Sequence, residues 1–203
     1  PSRKPLRQRW PRPVSDRAPL YPVSRRHLEA ISDEIGIIQH VLGALPDLTH
    51  GYCTDDVARA LLVDLLHASE IGWAEVAPSA WRAIRFLESA FADGSGRVRN
   101  FRGTAGDWLI GPSSEDAYAR AMMALGQAAG VVADERFRSL AISLFQRGLP
   151  GTAQLRSLRP QAAALIGCDA AVRSGLGGET EATYRRLAAT LRHGVESGTT
   201  PGP

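Results

Sequence analysis

The chain has 203 residues, 44% hydrophobic and 22% charged, with a formal net charge of +3 and two cysteines. That length suffices for one domain with a sizeable core. The composition excludes a collagen-like, disulfide-stapled or wholly disordered chain, and no run approaches the ~20 apolar residues of a membrane-spanning helix.

Residues 1–23 mix six prolines with arginine and show no hydrophobic period. They read as a semi-extended linker or tail, with Trp10 and Tyr21 as docking points. Eight basic residues and one acid lie before residue 27, so the other 177 residues hold 16 basic and 20 acidic groups, a balance of −4. The basic character therefore belongs to this leader. A nucleic-acid partner needs Lys and Arg clustered on a structured face; the body offers no such cluster, and none is expected. Because the chain opens on Pro1 and not on Met, a fragment of a longer protein is expected, and no charged-then-apolar signal peptide stands at its start. Cys53 and Cys168 lack Cys-x-x-Cys spacing, and the five histidines include no His-x-x-x-His pair. Neither metal nor other cofactor is expected, and a reducing cytoplasm is the default setting.

The folded body is expected over 24–196, with 197–203 as a flexible tail. Ser24 is placed to cap a helix from Arg25 through Ile31. Ser32-Asp33-Glu34 then offers a hydroxyl and two acids ahead of Ile35-Gly36-Ile37-Ile38-Gln39-His40. Gly36 costs a helix ~1 kcal/mol against Ala, which leaves helix or cavity-lining loop open. Pro46 and Gly51 punctuate the approach to His50-Gly51-Tyr52-Cys53-Thr54-Asp55-Asp56. There Thr54 is an N-cap candidate, and Asp55 and Asp56 suit the positive end of a helix dipole. Val57, Ala58, Leu61, Leu62, Leu65 and Leu66 give helical spacing over about 55–71, ended by Gly72. Capping alone accounts for both acids. A second helix, about 78–92, opens at Pro78-Ser79 and carries Trp81, Ile84, Leu87 and Phe91.

Asp93-Gly94-Ser95-Gly96 turns the chain, Arg97 to Arg102 reads as a short strand, and 103–112 as a loop. About twenty residues without helix point to a loop that covers or lines a site. Asn100, Phe101, Asp107 and Trp108 combine aromatic faces that stack on pyranose rings with groups that bind hydroxyls; the same aromatics also serve simply to pin the loop to the core. Ser114-Glu115-Asp116 with Arg120-Ala121 then repeats Thr54-Asp55-Asp56 with Arg59-Ala60, one residue longer before its Arg. Near-repetition signals repeated helical units, and two acid-headed helix starts would aim their acids into one cavity. Helices follow at about 115–129, 134–147, 160–173, with Pro160 near its first turn, and 179–196. Ala-rich, acid-headed helices alternate with bulkier ones, which predicts an inner ring of the former and an outer ring of the latter.

With these residues in view, the chain resembles the α-helical domain of a group of bacterial proteins classed as glycosyltransferases. That domain is fused to, or encoded beside, a glycosyltransferase domain, and is similar to the six-hairpin (α/α)6 toroid of glycoside hydrolases and sugar epimerases. The resemblance rests on Asp33 to His40, Gly51 to Ala60, Asn100-Phe101 with Trp108, and Ser114-Glu115-Asp116 with Arg120-Ala121, within about 24–170. Val57 stands where the group has Asn, and Pro112-Ser113 replaces a Gly before Ser114. The implied fold is all-α: a partial α/α toroid of helical hairpins, with about seven or eight helices against twelve in a full ring, and a short β-like excursion near 97–112. The implied ligand is a saccharide, and the implied partner an upstream glycosyltransferase domain.

Three functions fit. A carbohydrate-active enzyme needs two carboxyls across the scissile bond, ~5–5.5 Å apart for retention and ~6.5–9.5 Å for inversion; the candidates are Asp55, Asp56, Glu115 and Asp116. A non-catalytic glycan-binding or scaffolding domain would use the same acids with Asp33, Gln39, His40, His50, Tyr52, Arg59, Asn100, Phe101, Trp108 and Arg120 to bind hydroxyls. A helical-repeat protein-interaction module explains the helix pairs but not the loop at 97–112. Arg59 and Arg120 either tune neighbouring carboxylates or simply lock them into ion pairs.

Overall fold

The computed structural model describes residues 24–91, 97–111 and 114–197. The linker expected over 1–23 and all of the tail after Ser197 lie outside the described residues. Within them the protein is all-α with a short β excursion. A short α1 (Arg26–Ala30) leads into a small hairpin of β1 (Val41–Leu42) and β2 (Leu45–Pro46), then β3 (Tyr52–Cys53). Helices α2 (Thr54–Ile71) and α3 (Trp73–Ala90) follow, then β4 (Phe101–Arg102), α4 (Glu115–Ala128) and α5 (Glu135–Gly148). A 3₁₀ turn, Leu149–Gln154, leads to α6 (Leu158–Arg173) and α7 (Glu179–Glu196). No described helix is long and apolar enough to cross a membrane.

The long helices form three successive α-hairpins. Helix α4 packs between α2 and α6, while α3, α5 and α7 pack mainly on their own partners. Residue size explains this layering. Helix α4 buries Ala117, Ala119, Ala121, Ala124 and Ala128, so neighbouring backbones approach closely. The limit is reached where α4 crosses α6: a Cβ on Gly126 would lie 2.1 Å from the Gly167 carbonyl oxygen, and one on Gly167 would lie 2.5 Å from that of Met122. Between the layers Phe86, Leu87, Phe91, Phe137, Leu144 and Phe145 are buried, each worth about 1.5–3 kcal/mol relative to exposure. Asp134 caps α5 by accepting from the Phe137 N–H at 3.0 Å, and its other oxygen accepts from Trp81 Nε1 at 2.9 Å, which ties α5 to α3.

Several local expectations are corrected. Ser24 caps nothing; α1 begins after Arg25 without a side-chain cap. Of the two readings left open around Gly36, helix or loop, Ser32 to His40 takes the loop, because Asp33 Oδ1 turns the chain by accepting from the N–H groups of Ile35 and Gly36. Thr54 is not an N-cap but the first helical residue, and its hydroxyl donates to the Arg99 carbonyl at 2.6 Å. Helix α3 starts five residues before Pro78, because Gly72, at φ 91°, reverses the chain and Trp73 seats edge-on against Phe137 at 4.9 Å. The strand expected from Arg97 narrows to Phe101–Arg102.

Those two residues matter for position. Strand β3 pairs antiparallel with β4, and bridges Ile38–Tyr52 and Arg102–Trp108 extend the pairing on both sides. The patch gathers the loops at 31–40, 50–53 and 100–108 beside the start of α2. Gly51 makes this possible: it sits at φ 64°, and a Cβ there would lie 2.3 Å from the Arg102 carbonyl oxygen. The chain entering α1 is fixed separately by Arg25, which donates to the buried Asp64 and to Ser79 Oγ at 2.8 Å, with its other guanidinium nitrogen 3.2 Å from His67 Nδ1.

Candidate functional site

The inner helices α2, α4 and α6 all begin at one end of the layer, and that end carries the acids singled out in the sequence. Asp55, in the first turn of α2, is held from two sides. Arg59 donates to it from one turn along the same helix, and Arg120 of α4 brings its Nε to 2.6 Å from Asp55 Oδ1, at an angle poor for hydrogen bonding. Among the described residues Asp56 has Arg59, at 3.5 Å, as its ion partner. Burial pushes its carboxyl above the usual carboxylate range, with Arg59 pulling the other way. Asp116 of α4 is bound in a two-pronged pair by Arg159 of α6, whose Nε donates at 3.0 Å. Arg159 also lies within electrostatic reach of Asp55. Acids and guanidiniums thus alternate across three helix starts.

Glu115 differs. Its carboxylate accepts from the N–H groups of Arg156 at 3.2 Å and Ser157 at 3.0 Å, capping α6 from α4. It also borders a cleft of about 550 Å³ lined by Ser114, Tyr118, Gln154 and Arg156 among others. Asp55, Asp56 and Asp116 do not line that cleft. The expectation that the two helix starts aim their acids into one cavity is therefore corrected: three acids belong to an open ion network, and the fourth borders a separate cleft.

The aromatic and polar candidates divide in the same way. His40 and His50 meet edge to face at 4.5 Å, both exposed, and His40 is close enough to Asp56 to favour its charge. Gln39 donates its backbone N–H to the Gly51 carbonyl at 2.9 Å. Tyr52, by contrast, is 1% exposed and donates its hydroxyl to Asp33 Oδ2, so it lines no open surface; burial and the Asp33 carboxylate hold its phenol protonated well above the usual range. Asp33 is accordingly a loop organiser. Asn100 fixes the start of α2: its carbonyl accepts from the Thr54 N–H at 2.8 Å and its Oδ1 from the Cys53 thiol at 3.3 Å. Phe101 belongs to the strand pairing. Trp108 packs edge-on against Phe86 at 5.2 Å, with the guanidiniums of Arg99 and Arg102 over its ring at 4.7 and 5.7 Å. Those contacts pin the loop to the core through the Trp108 ring.

Arg159 is the functional candidate that sequence reasoning missed. Its signal lay in the third helix start, Ser157-Leu158-Arg159, where a cation stands in place of the acids of the first two starts. Among the described residues no three His, Cys, Asp or Glu side chains gather so as to hold a metal ion. No protein-family model matches the chain, and no curated protein matches it in sequence.

Proposed function

We propose that this is a saccharide-binding domain of stacked α-hairpins, acting without cleaving its ligand. It takes the sugar on the network of Asp55, Asp56, Arg59, Arg120, Asp116 and Arg159 with His40 and His50 at its border. The observation that carries the reading is the alternation of carboxylates and guanidiniums across three adjacent helix starts. Planar two-pronged groups of both signs match the neighbouring donor and acceptor hydroxyls of a sugar ring. The resemblance to the helical domain that accompanies bacterial glycosyltransferases supports the same ligand class. It supplies the partner as well, an upstream glycosyltransferase domain in the cytoplasm, a setting that two buried, unpaired cysteines suit.

Binding is favoured over hydrolysis because Asp55, Asp116 and Glu115 are each engaged by guanidinium or backbone N–H donors. Such partners occupy the carboxylate oxygens, whereas cleavage needs one free acid and one free base or nucleophile. One observation favours the enzyme reading: Asp56, half-buried and pushed upward, has the character of a general acid. Titrating the protein with neutral and acidic oligosaccharides while assaying reducing-sugar release separates the two. Binding without release supports the proposal. Release that Asp56→Asn abolishes replaces it with a glycosidase, and absence of both, in folded protein, removes the saccharide altogether.

A further inference from the structure

Toward the opposite end the same three helices are mostly apolar, with Ser69, Gln127, Arg173 and Ser174 as the polar members of the surface there. A cleft of about 920 Å³ lies there, lined by Leu62, Leu65, Leu66, Trp73, Met123 and Val131 among others. Leu66 is 70% exposed and Val132, at its rim, 87% exposed. Helical spacing connects this cleft to the charged network. Arg59, Leu62 and Leu66 stand at i, i+3 and i+7 on α2, and Arg120, Met123 and Gln127 at the same intervals on α4, so each series follows one helix face. Seven residues of rise separate the guanidinium positions from the cleft by about 10 Å. One continuous face therefore runs from charged to apolar along the helix axes.

We infer that this face takes an amphiphile: a saccharide joined to one hydrocarbon chain, with the sugar on the Asp/Arg network and the chain in the cleft. The headgroup assignment rests on the saccharide reading above. The polarity of the face selects this occupant. A docked amphipathic helix presents an apolar stripe along its whole length and would strand its half over Asp55, Arg59, Arg120 and Asp116. A bare hydrocarbon makes no use of those charges. A head-and-tail ligand satisfies both ends at once, and a headgroup of one or two sugar rings spans the separation.

The test is titration with methyl, hexyl, octyl and decyl β-glucosides and β-mannosides below their micelle-forming concentrations, alongside 1-octanol. Each methylene that enters the cleft tightens binding up to about fourfold, so affinity should rise by roughly an order of magnitude per two carbons until the cleft is full. Leu66→Asn with Val132→Asn should flatten that rise. Both side chains project into solvent, so the fold is retained, and Val195→Asn on α7, equally exposed, should leave the rise intact. Affinity independent of chain length overturns the inference while leaving the saccharide reading in place if the methyl glycosides bind. Binding of 1-octanol as tight as that of the octyl glycosides also overturns it, because the sugar would then contribute nothing. Failure of every glycoside overturns the inference and the headgroup reading together.

Discussion

The α4–α6 crossing allows the sign of a mutation to be worked out from opposing magnitudes. Replacing Gly126 with Ala inside a helix gains about 1 kcal/mol of intrinsic propensity. Against that, the new methyl would lie 2.1 Å from the Gly167 carbonyl oxygen and 2.6 and 2.7 Å from its carbonyl carbon and Cα. All three are backbone atoms of a packed helix, so no rotamer change relieves the overlap. The helices must separate by about an ångström, and overpacking of a dense core costs typically ~1–3 kcal/mol, occasionally more. Since every Ala-lined contact along the α4–α6 seam is loosened together, the high end applies. We expect a net loss of about 2 kcal/mol, or roughly 4–8 °C in Tm for a chain of this size. Gly167→Ala meets Met122 O at 2.5 Å and Met123 Cα at 2.8 Å and should behave alike. The double variant should lose less than the sum, because one separation relieves both clashes. Gly177→Ala, with nothing within 4 Å, is the control and should be neutral or slightly stabilising. Urea unfolding of the four proteins decides the matter. A Gly126→Ala variant as stable as the control would refute the close-packed inner layer.

Other predictions follow from the same geometry. Gly51→Ala combines a positive φ with a 2.3 Å contact to the Arg102 carbonyl, so it should destabilise by more than ~1 kcal/mol; amide exchange should quicken selectively at Tyr52, Cys53 and Arg102. Arg25→Ala strips the cation from buried Asp64, a loss of roughly 3–5 kcal/mol at neutral pH by thermal melts. Burial already holds the Asp64 carboxyl above its ordinary value of 3.8. A native state that keeps its proton to higher pH than the unfolded chain loses stability as pH rises through that interval. Without Arg25 the interval widens, so the variant should recover part of its deficit when the pH falls from 7 toward 5. An unchanged deficit would contradict the pairing. Thr54→Val removes the hydroxyl bond to Arg99 O and should cost about 1 kcal/mol by urea unfolding, with Thr54→Ser largely retaining it.

Much of the helical frame was legible in the sequence because apolar spacing and punctuation agreed. Helix α7 runs from Glu179 to Glu196 as read, and Ser114 caps α4 by accepting from the Ala117 N–H at 3.3 Å. Local signals failed where a distant partner overrode them. Pro78 looked like a helix start, yet Trp73 gains more by docking on Phe137. Thr54 looked like a cap, yet its hydroxyl turns to a carbonyl 45 residues away. The site divides on the same principle. The repeated acid-headed starts stand side by side, but their acids do not share the one cavity expected of them. Sequence could not show that Tyr52 is buried under its own hydrogen bond to Asp33, that Arg99 and Arg102 would lie over the Trp108 ring, or that Arg159 would answer Asp116. Each of those depends on which segments the strand pairing and helix stacking bring together.

The most direct test of the central claim is to record backbone amide shifts of isotope-labelled protein while titrating the saccharide panel. A ligand on the proposed surface should move the amides of Asp55 to Arg59, Asp116 to Arg120 and Arg159 together, along with His40 and His50, and Asp56→Asn should weaken the titration. Shifts confined to Gly151–Arg156 and Tyr118 would transfer the site to the neighbouring cleft. Shifts nowhere, in a well-dispersed spectrum, would contradict saccharide binding by this domain.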